Sequence, residues 1–187
     1  MRRLAMLAVV SVLVGCANSG TGVVPPKTVE QVDLQRYQGT WYELARLPMF
    51  FQRHCAQSEA LYELQDGGTI GVTNRCRTFD GEMQQVQGQA VAQVPGQTSK
   101  LWVRFDNWVS RLLPDLTRGE YWVLYLDEGY QHALVGHPNR DYLWLLARTP
   151  EVSTEMRERL LQEAGNRGYD TGKLIWRRSD AEMALPR

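Results

Sequence analysis

Eight short apolar or alternating runs, separated by turn residues, occupy most of the chain. The runs cover residues 41–47, 58–64, 69–76, 82–94, 99–105, 121–127, 132–137 and 141–148. Between them lie turn sequences such as DGG at 66–68 and HPNR at 137–140. Regular spacing of this kind is typical of an antiparallel all-β domain. We therefore expect eight strands along this part of the chain.

One segment after the eighth run has a helical period instead. Ser153 can cap a helix whose apolar positions Met156, Leu160, Leu161 and Ala164 fall on one stripe. That stripe has to be buried against another element, and the outside of the sheet is the partner available. A short run at 173–178 then predicts a last strand.

Eight antiparallel strands are most simply accommodated in a closed barrel. Closure removes both exposed sheet edges, and at about eight strands the interior can hold one small ligand. We therefore predict an all-β fold, an eight-stranded antiparallel up-and-down barrel with one C-terminal α-helix packed on its outside. A β-sandwich is the alternative architecture.

The N-terminal residues have the pattern of a secretory signal. Arg2 and Arg3 precede an apolar run that is too short to span a bilayer as a permanent helix. The sequence Leu-Val-Gly-Cys at 13–16 resembles the bacterial lipobox, which implies acylation of Cys16; an ordinary signal peptide with a chance cysteine is the alternative. By the same resemblance, Ala17 implies sorting to the outer membrane, with the folded domain in the periplasm.

These features divide the chain into four predicted parts. They are a lipoprotein signal peptide at 1–15, an acylated cysteine with a flexible tether at 16–32, the barrel with its helix at 33–178, and a tail at 179–187. Removal of the signal takes two arginines from the 21 basic residues and leaves 19 against 21 acidic ones. A near-neutral domain without a basic stripe argues against nucleic acid as a partner.

Three sequence blocks resemble the signature of the lipocalin family. GTWYELA at 39–45 resembles its Gly-x-Trp motif, LDEGYQHALV at 126–135 resembles its second block, and LWLLART at 143–149 matches its third. The resemblance covers residues 33–176, and it is greatest to bacterial outer-membrane lipoprotein lipocalins and apolipoprotein D. Leu126 departs from the second block, because many members carry threonine there.

The resemblance implies a structural role for five residues of these blocks. They are Gly39, Trp41, Asp127, Tyr130 and Arg148. Trp41 is expected to plug the closed end of the barrel, with Arg148 lying across its indole in a cation-π contact worth about 0.5–2 kcal/mol. Gly39 is expected to let a short 3₁₀ turn at 33–38 approach the barrel floor without a side chain in the way. We expect no ligand contact from Trp41 or Arg148.

Alternation of side chains along a strand predicts which residues face the cavity. If Arg148 points inward, Trp144 on the same strand also points inward. The outward set, which the helix can cover, is then Leu143, Leu145 and Ala147. On the first strand, an inward Trp41 implies that Glu43 and Ala45 also point inward.

The hairpin register adds further lining residues. A loop at 66–68 pairs residues whose numbers sum to 134, so Ala60 opposes Asn74. Resemblance to the apolipoprotein D cavity implies that Tyr62 and Asn74 lie inside and that Tyr121 points inward on a later strand. The predicted ligand-binding set is Glu43, Tyr62, Asn74, Val103, Phe105, Tyr121 and Trp144.

Two positions on these strands extend or qualify that set. Alternation from Tyr121 turns Val123 and Tyr125 to the same side. Glu43 is costly inside a barrel unless it has a partner. It either forms a salt bridge near the floor, with an arginine as one candidate, or binds a ligand head group.

Besides the acylated Cys16, two cysteines remain, Cys55 and Cys76, and an oxidising compartment favours a disulfide between them. The hairpin register opposes Cys76 to Ser58, so a bond to Cys55 requires a bulge or bend where the second strand begins. The alternative is a free Cys76 thiol as the nucleophile of a lipid isomerase, as in lipocalins that resemble prostaglandin isomerases.

The histidines do not favour catalysis or metal binding. His54, His132 and His137 lie near strand ends or loops, and their spacing does not match a metal site. No base is placed beside Cys76 by the sequence. We therefore predict a protein that is not an enzyme and has neither metal nor cofactor.

Two long loops at the barrel end are unusually apolar. The loop at 47–55 carries Met49, Phe50 and Phe51, and the loop at 107–116 carries Trp108, Leu112 and Leu113. They either form an apolar rim that meets a membrane or fold over the opening as a plug. The sequence leaves both alternatives open.

These expectations lead to one predicted function. The chain is expected to bind amphiphilic lipids, such as fatty acids or lysophospholipids, for transport, storage or scavenging in the cell envelope. Its partners are expected to be that lipid and the membrane that holds the acylated Cys16. A structural envelope lipoprotein with a self-filled barrel is the alternative, and the sequence does not indicate an oligomeric state.

Overall fold

A computed structural model of the chain describes residues 24–106 and 118–184. Nine strands form one antiparallel sheet in the order β2-β3-β4-β5-β6-β7-β8-β1-β9, and β1 also pairs with β2. The strands are β1 Gly39–Arg46, β2 Cys55–Leu64, β3 Ile70–Thr78, β4 Met83–Ala92, β5 Lys100–Phe105, β6 Gly119–Leu126, β7 His132–Gly136, β8 Leu143–Ala147 and β9 Ile175–Trp176. The β1–β2 pairing closes eight strands into the barrel that the sequence predicted.

Three helices accompany the barrel in the described ranges, and none of them is long and apolar enough to cross a membrane. They are α1 Leu34–Tyr37, α2 Thr154–Asn166 and α3 Asp180–Ala184. Helix α2 begins as predicted, because the Ser153 hydroxyl accepts a hydrogen bond from the Met156 amide. Single 3₁₀ turns lie at Phe50–Gln52, Asp66–Gly68 and Thr171–Lys173.

The apolar side chains form two separate cores. The inner core fills the closed end of the barrel around Trp41. The outer core lies between the barrel wall and α2, where Leu160 and Ala164 are completely buried. The wall contributes the predicted outward set of β8, Leu143, Leu145 and Ala147. The helix therefore covers the outside of the barrel and leaves its interior free.

The closed end is sealed by α1 and by the predicted Trp41–Arg148 pair. The Arg148 guanidinium lies 3.9 Å from the Trp41 ring centroid and donates to the carbonyl oxygens of Thr40 and Arg36. Gly39 has a φ of +92°, and a Cβ there would lie 3.4 Å from Nη1 of Arg148. Glycine is thus favoured by the backbone as well as by the close approach. The predicted 3₁₀ turn is instead one α-helical turn, since the amides of Tyr37 and Gln38 donate to the carbonyls four residues earlier.

The second signature block organises the β6–β7 turn at the same end. Asp127 accepts hydrogen bonds from the backbone amides of Gln131 and His132, and its Oδ2 lies 2.7 Å from His132 Nδ1. Tyr130 has a φ of 57°, and its hydroxyl accepts a hydrogen bond from the Asp33 amide. Both residues hold the turn and α1 in place.

Two β-bulges interrupt the alternation on which the sequence predictions depended. The register shifts between Glu43 and Ala45 and again between Val123 and Tyr125. The predictions that Ala45 and Tyr125 face inward are therefore wrong, because both pack in the outer core. The first bulge also brings the buried Arg46 beside Glu43.

The segment at 24–32 differs from the flexible tether that we predicted up to residue 32. Val32 is 2% exposed, and its backbone amide and carbonyl both bond to the Thr98 hydroxyl. The Val29 amide donates to the Val123 carbonyl at the β6 bulge. These residues lie along the barrel, so the folded domain begins earlier than residue 33. The signal peptide, Cys16 and the first part of the tether lie outside the described residues.

The tail predicted at 179–187 contacts the barrel in its described part. Gln57 donates from Nε2 to Asp180 Oδ1 at 2.7 Å and to the Arg178 carbonyl at 2.9 Å. Helix α3 is thereby held against β2.

Candidate ligand-binding cavity

The barrel encloses a cavity of about 660 Å³. Trp41 lies at its closed end, and residues of the β1–β2 and β7–β8 loops, among them Gln52 and Tyr142, lie at its open end. The cavity is lined by every residue of the predicted set, namely Glu43, Tyr62, Asn74, Val103, Phe105, Tyr121 and Trp144. Their contact with a ligand stays a prediction.

Three tyrosine hydroxyls form a chain toward the closed end. The Tyr121 hydroxyl donates to that of Tyr62 at 3.0 Å and lies 2.8 Å from that of Tyr37. Because Tyr121 has one hydroxyl hydrogen, Tyr37 is the donor of the second bond. The hydrogen of Tyr62 then has no acceptor among the described residues. The deep part of the cavity thus offers one neutral hydrogen-bond donor.

Burial keeps these hydroxyls protonated. It raises the pKa of Tyr62 to about 12 and raises the pKa of Tyr37 and of Tyr121 well above the usual value. A phenolate in this position would lose its hydration without gaining a cation in direct contact. The floor of the cavity is therefore uncharged at physiological pH.

Glu43 forms a buried ion pair on the cavity wall. Its Oε1 accepts a hydrogen bond from Arg46 Nη1 at 2.7 Å, and the two side chains are 6% and 2% exposed. Arg46 also donates from Nη2 to the carbonyl oxygens of Gln52 and Cys55. Of the two roles we predicted for Glu43, the structure shows the salt bridge. Its partner follows on the same strand toward the open end, not near the floor.

Gln52 is, with Arg46, a central residue of this network that we did not predict. Its side-chain amide donates to Glu43 Oε2 at 2.9 Å, and its Oε1 accepts a hydrogen bond from Trp144 Nε1 at 2.9 Å. The 3₁₀ turn that carries Gln52 is thereby joined to both β1 and β8. No local pattern in the sequence marks Gln52, since its role depends on the bulge that places Arg46 beneath it.

Further polar lining residues lie on β2, β3 and β4. Arg75 pairs with Glu59 at 3.2 Å and donates from Nε to Gln85. The Asn74 side chain lines the cavity without a hydrogen bond to any described residue. Asn74 is thus available to a polar group of a ligand.

The apolar loop at 47–55 divides into a buried and an exposed part. Met49 is 6% exposed and belongs to the core, as the plug alternative expected. Phe50 and Phe51 are 79% and 62% exposed, as the rim alternative expected. Phe51 contacts Tyr142 edge to face at 5.6 Å. The second apolar loop, at 107–116, lies outside the described residues.

Cys55 and Cys76 form a disulfide, with their Cα atoms 5.5 Å apart. The register opposes Cys76 to Ser58 and shifts between Cys55 and Gln57, which confirms the bulge that the bond was expected to require. The disulfide ties the start of β2 to β3 near the open end. In this form Cys76 offers no free thiol to a substrate.

The histidines are involved in local contacts. His132 pairs with Asp127 at the closed end, and His54 accepts a hydrogen bond from Arg53 at 2.9 Å. His137 lines the cavity and contacts Asn139 in its own loop. In the described ranges, no group of three or more histidine, cysteine or acidic side chains is placed to hold a metal ion.

Comparison with known proteins identifies the same fold and signature. A family model described as a lipocalin-like domain matches residues 32–179. The outer membrane lipoprotein Blc of Citrobacter freundii is 39% identical over 94% of this chain and 97% of its own length. Apolipoprotein D of Mus musculus is 31% identical over 80% of this chain and 78% of its own.

Solved structures agree in fold at lower sequence identity. Insecticyanin from the tobacco hornworm Manduca sexta superposes with a TM-score of 0.64 at 19% identity, covering 87% of this chain and 88% of its own. Lobster apocrustacyanin A1 gives a TM-score of 0.60 at 16% identity, covering 83% and 92%. The family model and the relatives in Citrobacter freundii and Mus musculus, together with the closed barrel and its Trp41–Arg148 seal, show that the chain belongs to the lipocalin family.

Proposed function

We propose that this lipocalin binds single amphiphilic lipids, such as fatty acids or lysophospholipids, in its barrel for transport, storage or scavenging in the cell envelope. The observation that carries the proposal is the open cavity of about 660 Å³. A volume of 300–1,000 Å³ is typical of sites that enclose a small ligand. Its apolar lining suits an acyl chain, because each buried methylene contributes about 0.8 kcal/mol.

The few polar groups of the cavity set the orientation of such a lipid. The uncharged floor, with the Tyr62 hydroxyl, excludes a charged head group from the deep end. Asn74 and the Arg75–Glu59 pair lie closer to the open end. These positions support an orientation with the acyl chain in the depth of the barrel and the head group near its opening.

Two alternatives are less well supported. A self-filled structural barrel would leave no space, whereas the cavity here is large. A thiol-dependent isomerase would need a free Cys76, whereas this cysteine is bonded to Cys55. We therefore propose a binding protein without catalytic activity.

The membrane anchor belongs to the same proposal. The lipobox-like sequence ending at Cys16 supports acylation, and the relatives in Citrobacter freundii and Escherichia coli are named outer membrane lipoproteins. We place the acylated chain in the outer membrane, with the barrel facing the periplasm.

The test is a calorimetric titration of the delipidated domain with palmitate, lysophosphatidylcholine and lysophosphatidylethanolamine, with haem as a control ligand. The informative variant is Val103→Phe, which adds a ring to the cavity wall. Its matched control is Val91→Phe on the neighbouring strand, where the side chain is 44% exposed.

Saturable binding of a lipid by the wild type and by Val91→Phe, weakened at least about tenfold in Val103→Phe, is the expected result; tenfold corresponds to about 1.4 kcal/mol. Absence of saturation with every lipid would contradict the proposal. If Val103→Phe binds the lipid as tightly as Val91→Phe, the lipid binds outside the barrel.

A further inference from the structure

We infer that the folded N-terminal segment holds the barrel with its open end against the membrane, so that the cavity opens onto the lipid surface. This inference rests on the anchor at Cys16 that the proposed function includes. It adds the orientation of the barrel and the residues that fix it. The partner surface is the phospholipid leaflet in which the anchor is inserted.

The direction of residues 24–32, here called the N-terminal strap, is the first observation. Its last residue precedes Asp33, whose amide donates to Tyr130 in the β6–β7 turn at the closed end. Its first residue, Val24, accepts a hydrogen bond from Arg140 Nη2 at 2.9 Å. Arg140 lies in the β7–β8 loop at the open end. The strap therefore runs along the barrel and begins near the opening.

Two arginines hold the start of the strap. Arg140 donates from Nε to the carbonyl of Arg167, at the end of α2, while its Nη2 bonds to Val24. Arg167 in turn donates from Nε to the carbonyl of Lys27 at 3.3 Å. The strap, the helix and the β7–β8 loop are thus joined at one place.

The exposed aromatic residues lie at the same end and on the same side. Phe51 contacts Tyr142, which belongs to the loop that carries Arg140. Phe50 is 79% exposed, and the Arg53 guanidinium lies over its ring at 4.0 Å. Exposed aromatic rings beside a cationic group suit the boundary between head groups and acyl chains.

The length of chain between Cys16 and Val24 disfavours the opposite orientation. Eight residues span at most about 29 Å when fully extended, and a flexible chain of eight residues averages about 16 Å. A ten-residue strand such as β2, tilted in a barrel, rises about 25 Å. With the closed end on the membrane, the chain from Val24 would have to be almost fully stretched.

The test uses the full-length acylated protein in vesicles of phosphatidylethanolamine and phosphatidylglycerol that contain a spin-labelled phospholipid quencher. A fluorophore is attached to Phe50→Cys at the open end or, as the matched control, to Asp66→Cys in the exposed β2–β3 turn at the closed end. Intact mass confirms acylation and the native disulfide before each measurement.

The expected result is quenching of the label at 50 that exceeds the quenching at 66 by about twofold or more, since an interfacial group enters the membrane by about 5–10 Å. Equal quenching, or stronger quenching at 66, would overturn the inference. Vesicle flotation distinguishes the two proposals. An acylated chain that does not float contradicts the membrane anchoring of the proposed function, whereas a chain that floats with equal quenching contradicts this inference alone.

The strap itself is tested by Arg140→Ala combined with Arg167→Ala, which removes both holding contacts. Neither residue lines the cavity, so palmitate binding checks that the barrel is still folded. We expect the variant to float like the wild type. The labels at positions 50 and 66 should then be quenched equally. A difference that persists would show that the strap does not set the orientation.

Discussion

At the scale of single residues, two ion pairs on the barrel wall differ mainly in burial. The Glu43–Arg46 pair has an N–O distance of 2.7 Å and side chains that are at most 6% exposed. The Glu59–Arg75 pair has a distance of 3.2 Å and side chains that are 29% and 42% exposed. Removing one partner of a buried pair leaves an uncompensated charge, whereas water replaces a partner at the surface.

Glu43→Gln should therefore lower the free energy of unfolding by about 3–5 kcal/mol, because Arg46 would lose its counterion in the barrel wall. Glu59→Gln, the matched control, should lower it by less than about 1 kcal/mol. Urea unfolding of the two variants measures the difference. Equal losses would mean that the wall around Glu43 is hydrated.

The three tyrosines give the protein a predictable response to high pH. Burial raises the pKa of Tyr62 to about 12 in the folded state, against about 10 when it is unfolded. The unfolded chain therefore releases this proton first as pH rises. The stability that the protonated Tyr62 hydroxyl contributes is fully present below pH ~10, and it is lost between about pH 10 and 12.

The urea midpoint should thus stay constant from neutral pH to about 9.5 and then fall, and the fall should be smaller in Tyr62→Phe, which removes one titrating group. Tyrosine absorbance at high pH reports the ionisation directly. If the urea midpoint of Tyr62→Phe falls with pH as steeply as that of the wild type, the response does not come from the chain of tyrosine hydroxyls.

At the scale of elements, helix α2 shows how a short amphipathic segment is held on the barrel. Leu160 is completely buried in the outer core, whereas its neighbour Leu161 packs only partly against the same core. Loss of a buried side chain removes its transfer free energy and leaves a cavity.

Leu160→Ala is expected to destabilise the fold by about 2–5 kcal/mol, and Leu161→Ala by clearly less. Thermal unfolding of both variants, with lipid binding measured in parallel, tests this expectation. Binding should persist in Leu160→Ala below its unfolding transition, because the cavity lies on the other side of the wall. Similar losses of stability would indicate that the helix does not dock mainly through Leu160.

Most elements could be predicted from the sequence because their signals are local. The turn at 66–68 fixed the β2–β3 register, and the cysteine spacing then required the bulge that is observed at the start of β2. The bulges after Glu43 and after Val123 could not be predicted. A bulge inserts one extra residue into a strand, and packing against distant parts of the chain offsets its energetic cost. No periodic pattern in the sequence therefore marks its position. For the same reason Gln52 and the inward Arg46 were missed.

At the scale of the whole molecule, the barrel wall separates the close-packed outer core from the inner core, which borders the cavity. Leu145, completely buried under α2, has neighbours on all sides. Val103 is also buried but borders a cavity of about 660 Å³. The same bulky replacement should therefore have opposite consequences on the two faces of the wall, which is the physical basis of a stable protein that keeps space for a ligand.

Val103→Phe should keep the free energy of unfolding within about 1 kcal/mol of wild type while it weakens lipid binding, because its added ring occupies empty volume. Leu145→Phe adds less volume but should cost about 1–3 kcal/mol, because a close-packed core cannot accept it without strain. Urea unfolding without ligand compares the two. A large loss of unfolding free energy in Val103→Phe with none in Leu145→Phe would mean that the interior is filled and the outer core is loosely packed. That result would reverse the roles that we assign to the two faces of the wall.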